Sequence, residues 1–213
     1  EAVLPIFIFD KNILSELPND DARVAFISDL LTDINDKLKK HNKSLAVFFD
    51  EPETVFTKLI KENSITTVYA NHDYEPYAKK RDDAINELLK KNSVDFKTFK
   101  DQVIFEKSEV VKSDGTPYVV YTPFSNKWME QFQSANNTSY KSEDLLKNIA
   151  THSYPFLDLK DIGFTLPNDE VVNDDTSDKL ISHYFDTRNF PALRTSRVGP
   201  HLRFGSISIR QLV

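Results

Sequence analysis

The sequence predicts an α/β fold: an open parallel sheet with helices on both faces, then a long connector and the start of a helical segment. Three observations carry this. Short apolar runs recur, of the nearly continuous kind that suits strands buried on both faces. Stretches of helical period separate them. Beyond Gln102 the alternation stops and Ser, Asn, Asp and Thr become frequent. The first run, Val3-Leu4-Pro5-Ile6-Phe7-Ile8-Phe9, ends at Asp10. With no Met before it, a buried strand so early leads us to expect further chain upstream. Asn19-Asp20-Asp21 can cap a helix in which Ala22, Phe26, Leu30, Ile34 and Leu38 share a face, with Lys39-Lys40 in its last turn. Ser44–Phe49 is a second strand. A helix over about Glu51–Glu62 turns Val55, Leu59 and Ile60 inward. Ile65–Ala70 is a third strand, Tyr77–Lys91 a long charged helix, and Val94–Phe99 a fourth strand. Ligands of such sheets sit beyond the carboxyl ends of the strands, which marks Asp10, Asp50 and Asn71–Glu75.

Past the short apolar run Val103-Ile104-Phe105, residues Val110–Val120 read as a hairpin around Asp114-Gly115. Pro123 begins a helix that carries the only Trp, Trp128. Residues 134–178 hold Pro155 and Pro167 and show weak periodicity. So long a connector should run across a surface and pack on it. Ser177–Thr187 reads as a helix with Leu180, Ile181 and Tyr184 on one face, and Ile207–Val213 as an amphipathic helix. No internal repeat or low-complexity segment occurs.

Composition narrows the chemistry. The 213 residues contain 16 Phe and 8 Tyr, enough aromatic mass for a sizeable core, which argues against disorder. With no Cys, a disulfide framework, a thiolate metal site and cysteine catalysis are excluded too. No apolar run reaches the length of a membrane span or has signal-peptide flanks, so a soluble cytoplasmic protein is expected. Four Gly cannot build a G-x-x-x-x-G-K loop, and no G-x-S-x-G occurs. His41, His72, His152, His183 and His201 show no ligand spacing, so no metal site is expected. A net charge of −6 argues against non-specific nucleic-acid binding by the whole chain.

The last thirty residues differ. Between Arg188 and Phe204 stand four arginines, the consecutive hydroxyls of Thr195-Ser196, and Gly199. Hydroxyls beside freely approached backbone N–H groups suit an anionic phosphate. Composition alone favours the plainer reading, a helix cap before a Gly199-Pro200 turn, because Thr-Ser near a Gly-Pro turn is common. The order of residues is more specific. The string Arg188-Asn189-Phe190-Pro191, then Thr195-Ser196-x-Val198-Gly199-Pro200-x-Leu202-Arg203-Phe204-Gly205-x-Ile207-Ser208-x-Arg210, resembles the photolyase/cryptochrome flavoprotein family. Phe7-Ile8-Phe9-Asp10, Val68-Tyr69-Ala70-Asn71-His72-Asp73-Tyr74-Glu75-Pro76-Tyr77 and Thr122-Pro123-Phe124-x-x-x-Trp128 resemble further motifs of that family, so the likeness covers nearly the whole chain.

The resemblance implies a Rossmann-like antenna domain over residues 1–123, N-terminally incomplete, an interdomain connector over 124–175, and the start of an all-helical FAD-binding domain over 176–213. It implies an internal fragment of a protein about twice as long. Tyr184 would contact FAD, and Thr195, Ser196, Arg197, Val198 and Gly199 would form the strand that holds its phosphates, with no metal required. Val198-Gly199 stands where the family usually has Leu-Ser, which removes one hydroxyl donor. Arg188 would contact DNA phosphate; the alternative is a surface salt bridge with Asp186 or another acid. Arg188, Arg194, Arg197, Arg203 and Arg210 would supply a local basic cluster within an acidic chain. Asp10, Asn12, Asp73 and Glu75 would contact a second, antenna chromophore of deazaflavin or flavin type rather than folate, because Tyr77-Ala78 replaces the folate-binding Asn-Glu. The alternative is that Asp10 and Asp73 cap the helices after their strands. The implied activity is light-driven splitting of cyclobutane pyrimidine dimers in damaged DNA by a monomeric photolyase. A cryptochrome-type photoreceptor without repair is the alternative. The chain alone would be a non-catalytic α/β module that binds at most an antenna chromophore, with little or no bound FAD.

Overall fold

The computed structural model describes residues 2–135, 142–169 and 171–213. Four strands form among the described residues: β1 (Ile6–Asp10), β2 (Ala46–Asp50), β3 (Thr67–Asn71) and β4 (Asp95–Phe99). Helices α1 (Lys11–Leu14), α2 (Ala22–Lys39), α3 (Pro52–Glu62) and α4 (Pro76–Lys91) lie between them. This is the α/β alternation that the apolar runs predict. Strand β1 runs parallel to β2 with Ile6 opposite Ala46, and β3 parallel to β4 with Thr67 opposite Asp95. The expected single sheet is divided: the two pairs do not share a ladder.

Side-chain alternation along β1 and β2 builds two faces. Phe9 and Val47 pack with Val24, Leu31 and Leu38 of α2, while Ala46 and Phe48 pack with Val55 and Leu59 of α3. Asp21 caps α2 by accepting from the Arg23 N–H, and Pro opens both α3 and α4, where a missing N–H costs nothing. Asn35, buried on α2, accepts from the Leu45 N–H at 3.0 Å and ties the helix to the start of β2. Ile85 and Leu89 of α4 form a third cluster with Val94.

The second half corrects several expectations. Residues 110–120 contain the turn, with the Gly115 N–H bonded to the Lys112 carbonyl at 2.9 Å, but no strand pairing. Pro117 offers no N–H, and although Val110 is buried, Val119 on the return limb is 87% exposed, so that limb has no surface to pack on. Helix α5 spans Tyr121–Ser134, starting two residues before Pro123. Part of the expected connector, 136–141 and Glu170, lies outside the described residues. The remainder does pack. Val3 forms a parallel bridge with Ile149, the Pro155 carbonyl accepts from Val47 N–H, and Ile162 and Phe164 enter the α2-side core.

The helix read over Ser177–Thr187 is two pieces, α6 (Asp178–Ser182) and α7 (Tyr184–Thr187). The His183 ring and the Ser182 hydroxyl both bond the Lys179 carbonyl, competing with the backbone ladder. Thr195–Val198 is not an extended strand, because Arg197 is left-handed at φ 53°. Helix α8 (Gly199–Phe204) starts at the Gly199-Pro200 pair, which the alternative reads as a turn and the resemblance as the end of a strand, and α9 (Ile209–Leu212) is shorter than the pattern suggests.

Candidate functional site

The hydroxyl stretch is built by its backbone. Arg197 in the left-handed region followed by Val198 in the right-handed region (φ −71°, ψ −10°) turns successive N–H groups toward one side. Such a pair of conformations makes a concavity for anions. Among the described residues, the N–H groups of Thr195 through Gly199 donate to no protein acceptor, and neither the Thr195 nor the Ser196 hydroxyl forms a hydrogen bond. Val198, the cap residue of α8, provides no side-chain cap, so the capping alternative fails for both hydroxyls. Ser196 is 8% exposed, and its carbonyl accepts from the Asp175 N–H at 2.8 Å, which anchors the turn to the connector. Donors without protein partners on an anchored turn fit a diphosphate.

The other expected contacts take separate places. Tyr184 opens α7, 40% exposed, and its phenol forms no described hydrogen bond. Arg188 pairs with neither Asp186 nor another acid among the described residues; its guanidinium lies over the Phe185 ring at 5.0 Å. The five arginines are not one unpaired basic surface. Arg194 faces Asp175 and Arg203 faces Asp73, each at 4.0 Å, and Arg210 contacts Asp101 at 3.2 Å.

At the sheet edge, Asp10 is buried and accepts from the Asn12 N–H at 2.9 Å, capping α1 as the alternative holds. Its second oxygen accepts from the Tyr77 hydroxyl at 2.6 Å; burial first, then this bond, raises that phenol's pKa. Asn12 is exposed. Asp73 accepts from the N–H groups of Tyr74 and Glu75, closing a turn ahead of α4, whose cap residue Glu75 makes no side-chain bond. Asp50 accepts from Lys11 at 3.1 Å.

Sequence reasoning missed a network beside these residues. The Nδ1 atom of His72 is hydrogen-bonded to Glu106, and its Nε2 lies 2.9 Å from the Thr98 hydroxyl. The same Glu106 oxygen accepts from the Tyr74 hydroxyl at 2.7 Å. Bonding to His72 first, then to Tyr74, holds the Glu106 carboxyl below the ordinary glutamate range. Burial first, then Glu106, pushes the Tyr74 phenol up to about 12. His72 and Tyr74 alternate with the singled-out Asp73 and Glu75 and were legible by position; Glu106, over thirty residues away, carried no local signal.

Comparisons with known proteins agree on one relationship. Residues 1–143 match the family model for DNA photolyase. The deoxyribodipyrimidine photo-lyase of Halobacterium salinarum is 29% identical over 221 residues, covering 98% of this chain and 46% of that protein. The chain thus spans about half the length of such a relative. A bacterial class III photolyase from Agrobacterium tumefaciens superposes with a TM-score of 0.75 at 21% identity, over all of this chain and 46% of the other. An archaeal photolyase from Sulfolobus tokodaii, solved with two FAD molecules, gives 0.62 at 24% identity, over 100% and 48%. At such identities the two structures establish the fold. Among the described residues no helix is long and apolar enough to cross a membrane, and no group of three or more His, Asp or Glu is placed to hold a metal ion.

Proposed function

The chain belongs to the DNA photolyase family, and from that premise we propose that it forms part of a light-driven DNA repair flavoprotein of about twice its length. Residues 1–123 are the antenna domain, 124–175 the connector and 176–213 the opening of the FAD domain. The observation that carries this reading is the turn at Thr195–Gly199, with its hydroxyls and N–H groups left without protein acceptors.

When bound, reduced FAD would supply the light-driven electron-transfer chemistry for splitting a cyclobutane pyrimidine dimer in DNA. The chain's own residues bind and orient. Thr195 and Ser196 donate hydroxyl hydrogens to diphosphate oxygens, and the N–H groups of Arg197, Val198 and Gly199 converge on the same charge. The Arg197 guanidinium offsets that charge. Tyr184 contacts the flavin nucleotide, and Arg188 leaves the Phe185 ring to meet a DNA phosphate. Asp10, Asn12, Asp73 and Glu75 surround a second chromophore of deazaflavin or flavin type at the carboxyl edge of the strands.

The test is light-dependent repair of an oligonucleotide carrying one thymine dimer, by the full-length protein that contains this chain. We expect repair with bound FAD, and the Thr195→Ala/Ser196→Ala double variant to weaken FAD at least about tenfold, since each lost charge-assisted bond is worth about 1.5–3 kcal/mol. FAD bound without repair makes the protein a cryptochrome-type photoreceptor. Full flavin affinity in the double variant contradicts the cradle. The 213-residue chain by itself should purify with little or no flavin absorbance.

A further inference from the structure

The carboxyl-terminal helices meet the sheet edge across a cavity of about 220 Å³, lined by Asn71, Asp101 and Gln102 on one side and Arg203, Phe204 and Ile207 on the other. Beside this cavity one side chain ties α9 to the sheet edge. Arg210 of α9, only 16% exposed, donates through Nη1 to the Asp101 carbonyl at 3.1 Å and to Asp101 Oδ1 at 3.2 Å. Its Nη2 reaches the Lys100 carbonyl at 3.5 Å. The other Asp101 oxygen accepts from the Asn71 amide at 3.0 Å, at the end of β3. Asp101 therefore joins β3 to α9, and the planar fork of arginine is what lets one side chain reach a carboxylate and two carbonyls. Arg203 is a looser companion, 3.4 Å from Gln102 and 4.0 Å from Asp73, with half its side chain exposed.

Helix α8 has separate anchors on its other side. Buried His201 meets the Val172 carbonyl at 3.1 Å and the Ser206 hydroxyl at 2.8 Å, and both His201 and Phe204 pack edge-on against Phe26 of α2. Losing Arg210 therefore loosens the segment from the Thr195–Gly199 turn through α9, which stays attached to α2 through His201 and Phe204.

We infer that Arg210 is a positioning residue: by gripping Asp101 it holds the segment that carries the Thr195–Gly199 turn against the carboxyl edge of the strands. This rests on the phosphate reading for the identity of the ligand, and on the contacts alone for the docking. Neither the family relationship nor the resemblance assigns Arg210 this work.

The experiment uses the 213-residue chain, the variants Arg210→Gln, Arg210→Lys and Asp101→Asn, and ADP as the diphosphate probe. Tryptic cleavage after Arg197 and Arg203 reports docking; the thermal midpoint reports the core. We expect Arg210→Gln and Asp101→Asn to be cut about tenfold faster at both positions, Arg210→Lys at an intermediate rate, and the midpoint to hold within about 2 °C because no core cluster is touched. ADP should slow cleavage of the unaltered chain, and about tenfold more should be needed in Arg210→Gln. Wild-type cleavage rates in both Arg210→Gln and Asp101→Asn overturn the inference. So does a large fall in midpoint with faster cleavage throughout, which makes Arg210 a general stability residue. If ADP protects nothing while the cleavage pattern holds, the phosphate reading fails and the docking role stands.

Discussion

Single residues decide the proposed phosphate site. Gly199 replaces the serine usual at that place in the family, yet its backbone does not require glycine: it is absent from the positive-φ positions, and a Cβ there meets nothing within 4 Å. Gly199→Ser should therefore fold normally and restore a donor, tightening FAD in the full-length protein several-fold, by about 1 kcal/mol. Isothermal titration checks this, and unchanged or weaker binding tells against the assignment of the turn. Glu106 gives a residue-scale pH prediction. Its carboxyl lies below the ordinary range because it is hydrogen-bonded to His72 and Tyr74. Its contribution is then full above the ordinary glutamate range and is lost as pH falls through the depressed value. The neighbouring Phe105 meets Trp128 edge-on at 5.4 Å, so tryptophan emission reports the loop. An acid transition of that emission below the ordinary glutamate range, absent in Glu106→Gln, is the expected result.

At the scale of elements, the strand–helix alternation through β4 was legible because period and caps are local properties. Asp21 before α2 and the prolines opening α3 and α4 stand where the backbone needs them. Which strands are neighbours is not local, and the division into β1–β2 and β3–β4 was not legible. The Asp114-Gly115 signal produced its turn but no hairpin, since a ribbon forms only where a surface buries one face. The join between α2 and β2 supplies the stability prediction. Asn35→Ala strands the buried Leu45 N–H and should cost about 1–3 kcal/mol. Leu59→Ala in α3, where the side chain is 1% exposed, should cost about 2–5 kcal/mol. Urea unfolding measures both, and an Asn35→Ala variant as stable as the parent would show that water replaces the amide.

For the whole molecule, the functional assignment came from the order of residues rather than from composition. An acidic chain with scattered histidines points to no reaction by itself. The Thr195–Gly199 string carries the proposed phosphate reading, and the structure is compatible with it: a left-handed Arg197 leaves a row of N–H groups and two hydroxyls without partners among the described residues. The long-range contacts, His72 with Glu106 and Arg210 with Asp101, join segments that no local pattern relates. The most direct test of the cradle is the amide ¹H–¹⁵N spectrum of this chain as ADP is added. The account predicts that the resonances of Ser196, Arg197, Val198 and Gly199 shift most and saturate together. Shifts that spare those four, or that cluster on another surface, contradict it.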